Sequence, residues 1–232
     1  GTYMGFRTKS RNPEKVIREV QDHMVDNLLW LYMQLSPEAR DRAKLWYAGG
    51  RELVSNLAQQ YDVPDRVIAA VIASLSPQKD WYMNVSLAER VLDIHTGFTR
   101  GNKKGFVPDN AMRKKAIELF PKLNKKRLIE IMSRPYEDHQ NSRDKAIWVR
   151  VYDEVNNPQA YRKITPEGKW FGEAEGSVGW GSTTEIAKAI RALEDQSKEG
   201  IHRTLGSKHK IRNFYNNLLA PNSTAGDITV DT

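Results

Sequence analysis

Cysteine is absent from all 232 residues, which removes disulfides, thiolate nucleophiles and iron–sulfur clusters from consideration. A reducing compartment fits this, and the expected location is the cytoplasm. Long apolar runs are missing too. Nothing approaches the roughly 20 residues that a membrane-spanning helix needs, so no membrane partner is expected. Histidine is sparse: His23, His95, His139, His202 and His209 stand apart with no pair at ligand spacing, so no metal site is expected. There is no Walker or dinucleotide glycine fingerprint and no serine-elbow motif. No cofactor is expected.

What remains is an ordinary globular composition with a basic excess. Hydrophobic residues make up 39% and charged residues 28%, which leaves room for a core and argues against disorder. The formal net charge of +7 favours a polyanionic partner. A basic enzyme with solubilising lysines is the plainer account. The excess is also concentrated. Lys103, Lys104, Arg113, Lys114, Lys115, Lys122, Lys125, Lys126 and Arg127 face only Asp109 and Glu118. Such a run is either a solvated helix face or a surface that tracks phosphates, and Lys114, Lys115, Lys125 and Lys126 are its candidate DNA contacts.

Apolar periodicity is mostly helical. Val16, Val20, Met24, Leu28, Leu31 and Leu35 recur at three- and four-residue steps, which predicts a helix with one buried face. Ser36-Pro37 caps a second helix, and Gly49-Gly50 is expected to interrupt or bend it. The run VIAAVIASLSP is apolar almost all round and should be the central buried helix, ending before Pro77. Helices also follow from about Trp81 to Leu92 and around AMRKKAIELF. The stretch 156–184 interleaves Asn, Pro, Gly, Trp and Thr and reads as an inserted hairpin or ordered loop. The fold class is all-α with a small irregular or β-hairpin insertion. A single unit over 1–232 divides into N-terminal helices (12–60), a central helical and basic region (61–155), the insertion (156–184) and a terminal segment (185–232).

Three segments, in order, resemble the helix-hairpin-helix DNA glycosylases of the endonuclease III and adenine glycosylase kind. RVIAAVIASLSPQKDWYMNVSLAERVL is similar to the buried helix that ends in a Leu-Ser-x-Gln element. GWGSTTEIAKAIRALED resembles the "Gly-x-x-x-x-Lys-Ala" helix, with Lys188 displaced. LGSKHKIRN stands where that superfamily has Leu-Pro-Gly-Val-Gly-x-Lys-Thr-Ala, and ITVDT where it has Val-Asp-Thr-His. Lys208 replaces the second hairpin glycine. A further resemblance is to phage-encoded relatives, including those proposed to install amines on hypermodified thymine; for such a protein the compartment would be the host cytoplasm.

The resemblance implies a two-lobed helix-hairpin-helix glycosylase-like fold, double-stranded DNA as partner, base flipping and cleavage of the N-glycosidic bond. Asp231 would be the essential carboxylate beside the developing sugar cation; read from the residues alone, Asp-Thr is more readily a helix cap, and the resemblance is what favours the catalytic reading. Lys210 is a candidate lyase nucleophile or a phosphate contact, in a turn with Gly206, Ser207, Lys208 and His209 as DNA-binding residues. Asp227 is a spare carboxylate. Gln78 would fill the gap left by a flipped base, with Lys79 at the DNA, and Asp80, Trp81 and Tyr82 would form the base pocket. The aromatic pair is as readily core. Two rival functions share this fold: transfer of an amine or amino acid to an activated 5-hydroxymethyl-pyrimidine, and DNA binding without catalysis.

Overall fold

The computed structural model describes residues 12–165, 169–206 and 209–220. It falls into two units, 1–45 and 46–232. In the first unit, α1 (Pro13–Gln34) forms where periodicity places it, and Ser36 caps α2 (Pro37–Tyr61), its Oγ accepting from the Ala39 amide at 3.2 Å. The expectation of a buried face on α1 is not met. Met24, Leu28, Leu31 and Leu35 are exposed, as are Leu29 and Trp30. Helical spacing aligns apolar residues on one side but does not supply anything to cover them.

Gly49-Gly50 does not break α2, which runs straight through both. The reason is packing. A Cβ on Gly50 would meet Leu218 at 3.3 Å and Trp81 at 3.5 Å, so the missing side chain lets two larger ones approach the helix backbone.

The second unit is built around α3 (Asp65–Leu75), in which every residue from Val67 to Leu75 is buried. A helix apolar on all sides needs neighbours on all sides. It has them in α4 (Trp81–Thr99), α8 (Thr183–Glu194), α9 (Lys198–Leu205) and α10 (His209–Leu219). The helix ends as the sequence predicts, with Ser76 before Pro77. Asp80 caps α4 by accepting from the Met83 amide at 2.8 Å, and α4 continues to Thr99, past the expected Leu92. Ile94 and Phe98 carry the apolar face onward at four-residue spacing, and both are buried.

α5 (Asn110–Leu119) and α6 (Lys125–Ile131) carry the basic run, capped by Asp109 and Asn124. A short 3₁₀ turn (Tyr136–Asp138) leads to α7 (Ser142–Asn156). Here the aromatic residues collect. The Trp148 and Tyr152 rings are stacked at 5.4 Å, and Phe98 meets both edge-on at 4.8 and 4.9 Å. The Trp148 indole N–H donates to the Arg134 carbonyl at 3.1 Å. Within 156–184, β1 (Ala160–Ile164) and β2 (Trp170–Ser177) form an antiparallel hairpin with irregular register. Among the described residues this pair makes up the β-structure of a predominantly helical chain.

Asp153 ties the hairpin to the helices. Its carboxylate is wholly buried and accepts from Arg90 of α4 at 2.8 Å, from the Asn157 amide at 2.7 Å and from the Trp180 indole N–H at 3.0 Å. Removing one partner of a buried pair leaves the other charge uncompensated, at a cost of about 3–5 kcal/mol. Asp153→Ala should therefore lower the urea midpoint sharply. Arg127→Ala, which breaks the more exposed pair with Asp144, should cost under about 1 kcal/mol. Equal losses in the two variants would refute this account of Asp153.

Candidate functional site

Four places come into question, and the sequence-predicted site residues that the structure describes occupy three of them. Gln78 to Asp80 lie in the α3–α4 connection, and Trp81 and Tyr82 open α4. Gln78 is exposed and holds a positive φ of 56°, a conformation uncommon for a side chain other than glycine or asparagine. Lys79 lies close enough to Glu185 of α8 to favour that carboxylate's charged form against burial, which pushes its pKa up. Asp80 is engaged as the α4 cap. Trp81 and Tyr82 are partly buried against the core, and Tyr82 meets Phe171 of β2 edge-on at 6.2 Å.

Lys114 and Lys115 belong to α5, and Lys125 and Lys126 to the first turn of α6. Lys114, Lys125 and Lys126 are exposed, while Lys115 pairs with Glu118 at 3.0 Å. Arg127, in the same run, forks onto Asp144 at 2.8 and 2.9 Å. Part of the run is thus matched locally and part is open.

The third place is the α9–α10 turn. Ser197 caps α9, accepting from the Gly200 amide at 3.0 Å, and Gly206 ends it at φ 70°. A left-handed φ of this kind is one that glycine adopts without strain. Ile201, Leu205, Ile211, Tyr215 and Leu218 are buried, so both helices face the core. Each packs on α3. His209 opens α10 and Lys210 is exposed on its first turn. Ser207, Lys208, Asp227 and Asp231 lie outside the described residues.

The fourth place was not anticipated. A cleft of about 500 Å³ opens beside α4, and none of the predicted residues lines it. Gln60 and Tyr61 from the end of α2 form one wall, and Ser86, Glu89, Arg90, Asp93 and Gly97 of α4 form the floor. Lys103, Tyr152, the Asn157–Ala160 segment, Arg162 of β1 and Glu173 of β2 complete it. The Tyr61 hydroxyl donates to Asp93. Arg162 reaches Glu89 at 3.5 Å, and its guanidinium lies 4.0 Å over the Trp170 ring. Lys103 approaches the Tyr152 hydroxyl at 3.5 Å. Arg90 is fully committed, to Asp153 and to the carbonyls of Pro158 at 2.5 Å and Ala160 at 3.1 Å.

Glu89 is the chemically distinctive member. Burial pushes its carboxyl up to about 7; Arg162 pulls against this, Asp93 adds to it, and Arg90 opposes it. A carboxyl that exchanges its proton near neutrality can act as acid or base. Its neighbour Asp93 sits one helical turn away on the same face. That i,i+4 acid pair on α4 was the available sequence signal. The contributions of Tyr61 and Arg162 arise from tertiary packing and carried none. Among the described residues no group of three His, Cys, Asp or Glu side chains could hold a metal ion, and no helix is long and apolar enough to cross a membrane.

Residues 10–124 match a protein family described as one of unknown function (DUF7178). Neither a curated protein nor a solved structure matches the chain. The family match takes in the α2 and α4 walls of the cleft and Lys103, and it stops short of Tyr152, Arg162 and Glu173.

Two buried groups set opposite pH trends. Glu89 titrates at about 7 folded against 4.5 as the reference value, so its stability contribution is full below about 4.5 and is lost as pH rises through 7. His95, hydrogen-bonded to Tyr136 at 2.9 Å, is held down to about 4 by burial and by Lys145 and Arg100, against a reference of 6.5. Its contribution is full above about 6.5 and is lost as pH falls through 4. Glu89→Gln should gain on wild type between pH 5 and pH 8 by up to about 3 kcal/mol. It should also unmask the rise of stability with pH that His95 produces. Urea denaturation across that range checks this, and parallel curves for the two proteins would refute it.

Proposed function

We propose that the protein is a DNA-binding enzyme of the helix-hairpin-helix glycosylase kind, which flips a base out of duplex DNA and cleaves its N-glycosidic bond. The observation that carries this reading is the α9–α10 pair. Two short helices lie on either side of Gly206 at φ 70°, both are seated on the buried α3, and Lys210 is exposed at the start of the second. Backbone N–H groups at a helix start such as that of α10 suit a phosphate, and the lysine adds charge. The +7 net charge and the open lysines of α5 and α6 are consistent with a phosphate-rich partner.

Gln78 supports the same reading. It stands exposed in a strained backbone conformation at the end of the central helix, and strain of this kind persists only where the surrounding structure enforces it. A polar side chain fixed there could occupy the space of an extruded base. In this reading Asp231 supplies the carboxylate that stabilises the positive sugar, and Lys210 attacks C1′ or holds a phosphate.

Duplexes bearing uracil, thymine glycol, 5-hydroxymethyluracil or an oxidised purine should yield abasic sites on incubation with the protein. Asp231→Asn should reduce the rate by a factor on the order of a hundred or more, as removal of a transition-state charge partner does. A borohydride-trapped covalent adduct that disappears in Lys210→Ala would identify the lyase route. Base release that is unchanged in Asp231→Asn would remove the assignment, and a mass increase on 5-hydroxymethyl-pyrimidine DNA without base loss would replace excision by group transfer.

A further inference from the structure

The cleft beside α4 has two poles. Asp153 neutralises Arg90, which leaves Glu89, Asp93 and Glu173 facing Arg162 and Lys103. Tyr61 donates to Asp93 and so orients its carboxylate. Arg162 is held by its stack on Trp170 while more than a third of its side chain stays exposed. Its 3.5 Å contact with Glu89 is the loose kind of ion pair that contributes little by itself. A ligand carrying charges of both signs would replace that single weak pair with two. The volume, about 500 Å³, lies in the range of small-molecule sites.

We propose that this cleft binds a small molecule bearing both a protonated amine and an anionic group, the amine taken by Asp93 and Glu89 and the anion by Arg162 and Lys103. Ammonium hydrogen bonds to oriented carboxylates and guanidinium hydrogen bonds to an anion are both charge-assisted, hence short and directional. The aromatic body of Tyr152 lies beside Lys103 and offers apolar surface to the linker between the two charges.

The site depends on neither the α9–α10 turn nor Asp231. Its test uses no DNA, so it can fail while the base-excision reading stands, and the reverse also holds. The groups around Glu89 are Arg90 and Asp93 on its own helix, Tyr61 from α2, Lys103 after α4, Arg162 from β1 and Glu173 from β2. Glu89 itself, its carboxyl pushed up to about 7 by burial, makes amine binding depend on pH. As Glu89 ionises between pH 6 and pH 8, affinity should rise by up to about tenfold.

Isothermal titration of the 232-residue chain with glycine, 4-aminobutanoate and 6-aminohexanoate spans a range of amine-to-carboxylate spacings. n-Hexylamine and hexanoate each present one pole. Saturable binding of at least one amino acid is expected, tighter than either single-pole probe. Loss of one charged hydrogen bond in Asp93→Asn or Arg162→Gln should weaken it by about tenfold. Circular dichroism checks that the variants fold. Should Asp93→Asn not fold, the wild-type pH profile decides, with a flat profile counting against the site. Failure of all three amino acids to bind would overturn the proposal. So would equal affinity for hexanoate, or binding of thymidine with no amino acid bound.

Discussion

Asp153 is the point on which the second unit turns. A carboxylate with no solvent contact survives only when its lone pairs are met, and here an arginine, an indole and an amide meet them. The three donors come from α4, from the segment before α8 and from the end of α7. One buried charge therefore adds a directional tie between three parts of the chain that also share the apolar core. It also fixes the cleft. Arg90, drawn inward to Asp153, holds the Pro158–Ala160 backbone that forms part of its wall.

Two kinds of environment border this anchor. Toward α7 lie Phe98, Trp148, Tyr152 and Tyr136, a dry aromatic cluster that keeps His95 neutral. Toward β1 lies the open cleft, where Glu89 is buried enough to hold its proton near neutral pH yet close enough to Arg162 to lose it. The same helix, α4, passes between them. Its apolar positions Ile94 and Phe98 face the core, and its polar positions Glu89, Arg90 and Asp93 line the cleft. Amphipathicity here separates two chemistries, beyond separating core from water.

Much of this fold was legible in the residues. The all-apolar run beginning at Val67 marked the central helix, and Ser36-Pro37 marked the start of α2 through chemistry local to a few residues. The hairpin within 156–184 showed itself by composition. What escaped was tertiary. Gly49-Gly50 reads as a break because glycine is a weak helix former, and only the approach of Trp81 and Leu218 explains its presence in mid-helix. Asp80 reads in the sequence as a base-pocket group, whereas the 2.8 Å bond from the Met83 amide shows it engaged as the α4 cap. The cleft was invisible because Tyr61, Glu89, Arg162 and Glu173 are far apart in the chain and no motif joins them.

Arg90 has one more effect, on how the hairpin meets other chains. A two-stranded ribbon presents unpaired carbonyls along its outer strands, and such groups invite pairing with foreign backbone. By occupying the carbonyls of Pro158 and Ala160 where β1 begins, the guanidinium takes up acceptors that an added strand would need to start its ladder. A side chain recruited to neutralise a buried acid thereby also closes the first acceptors on that edge of the ribbon.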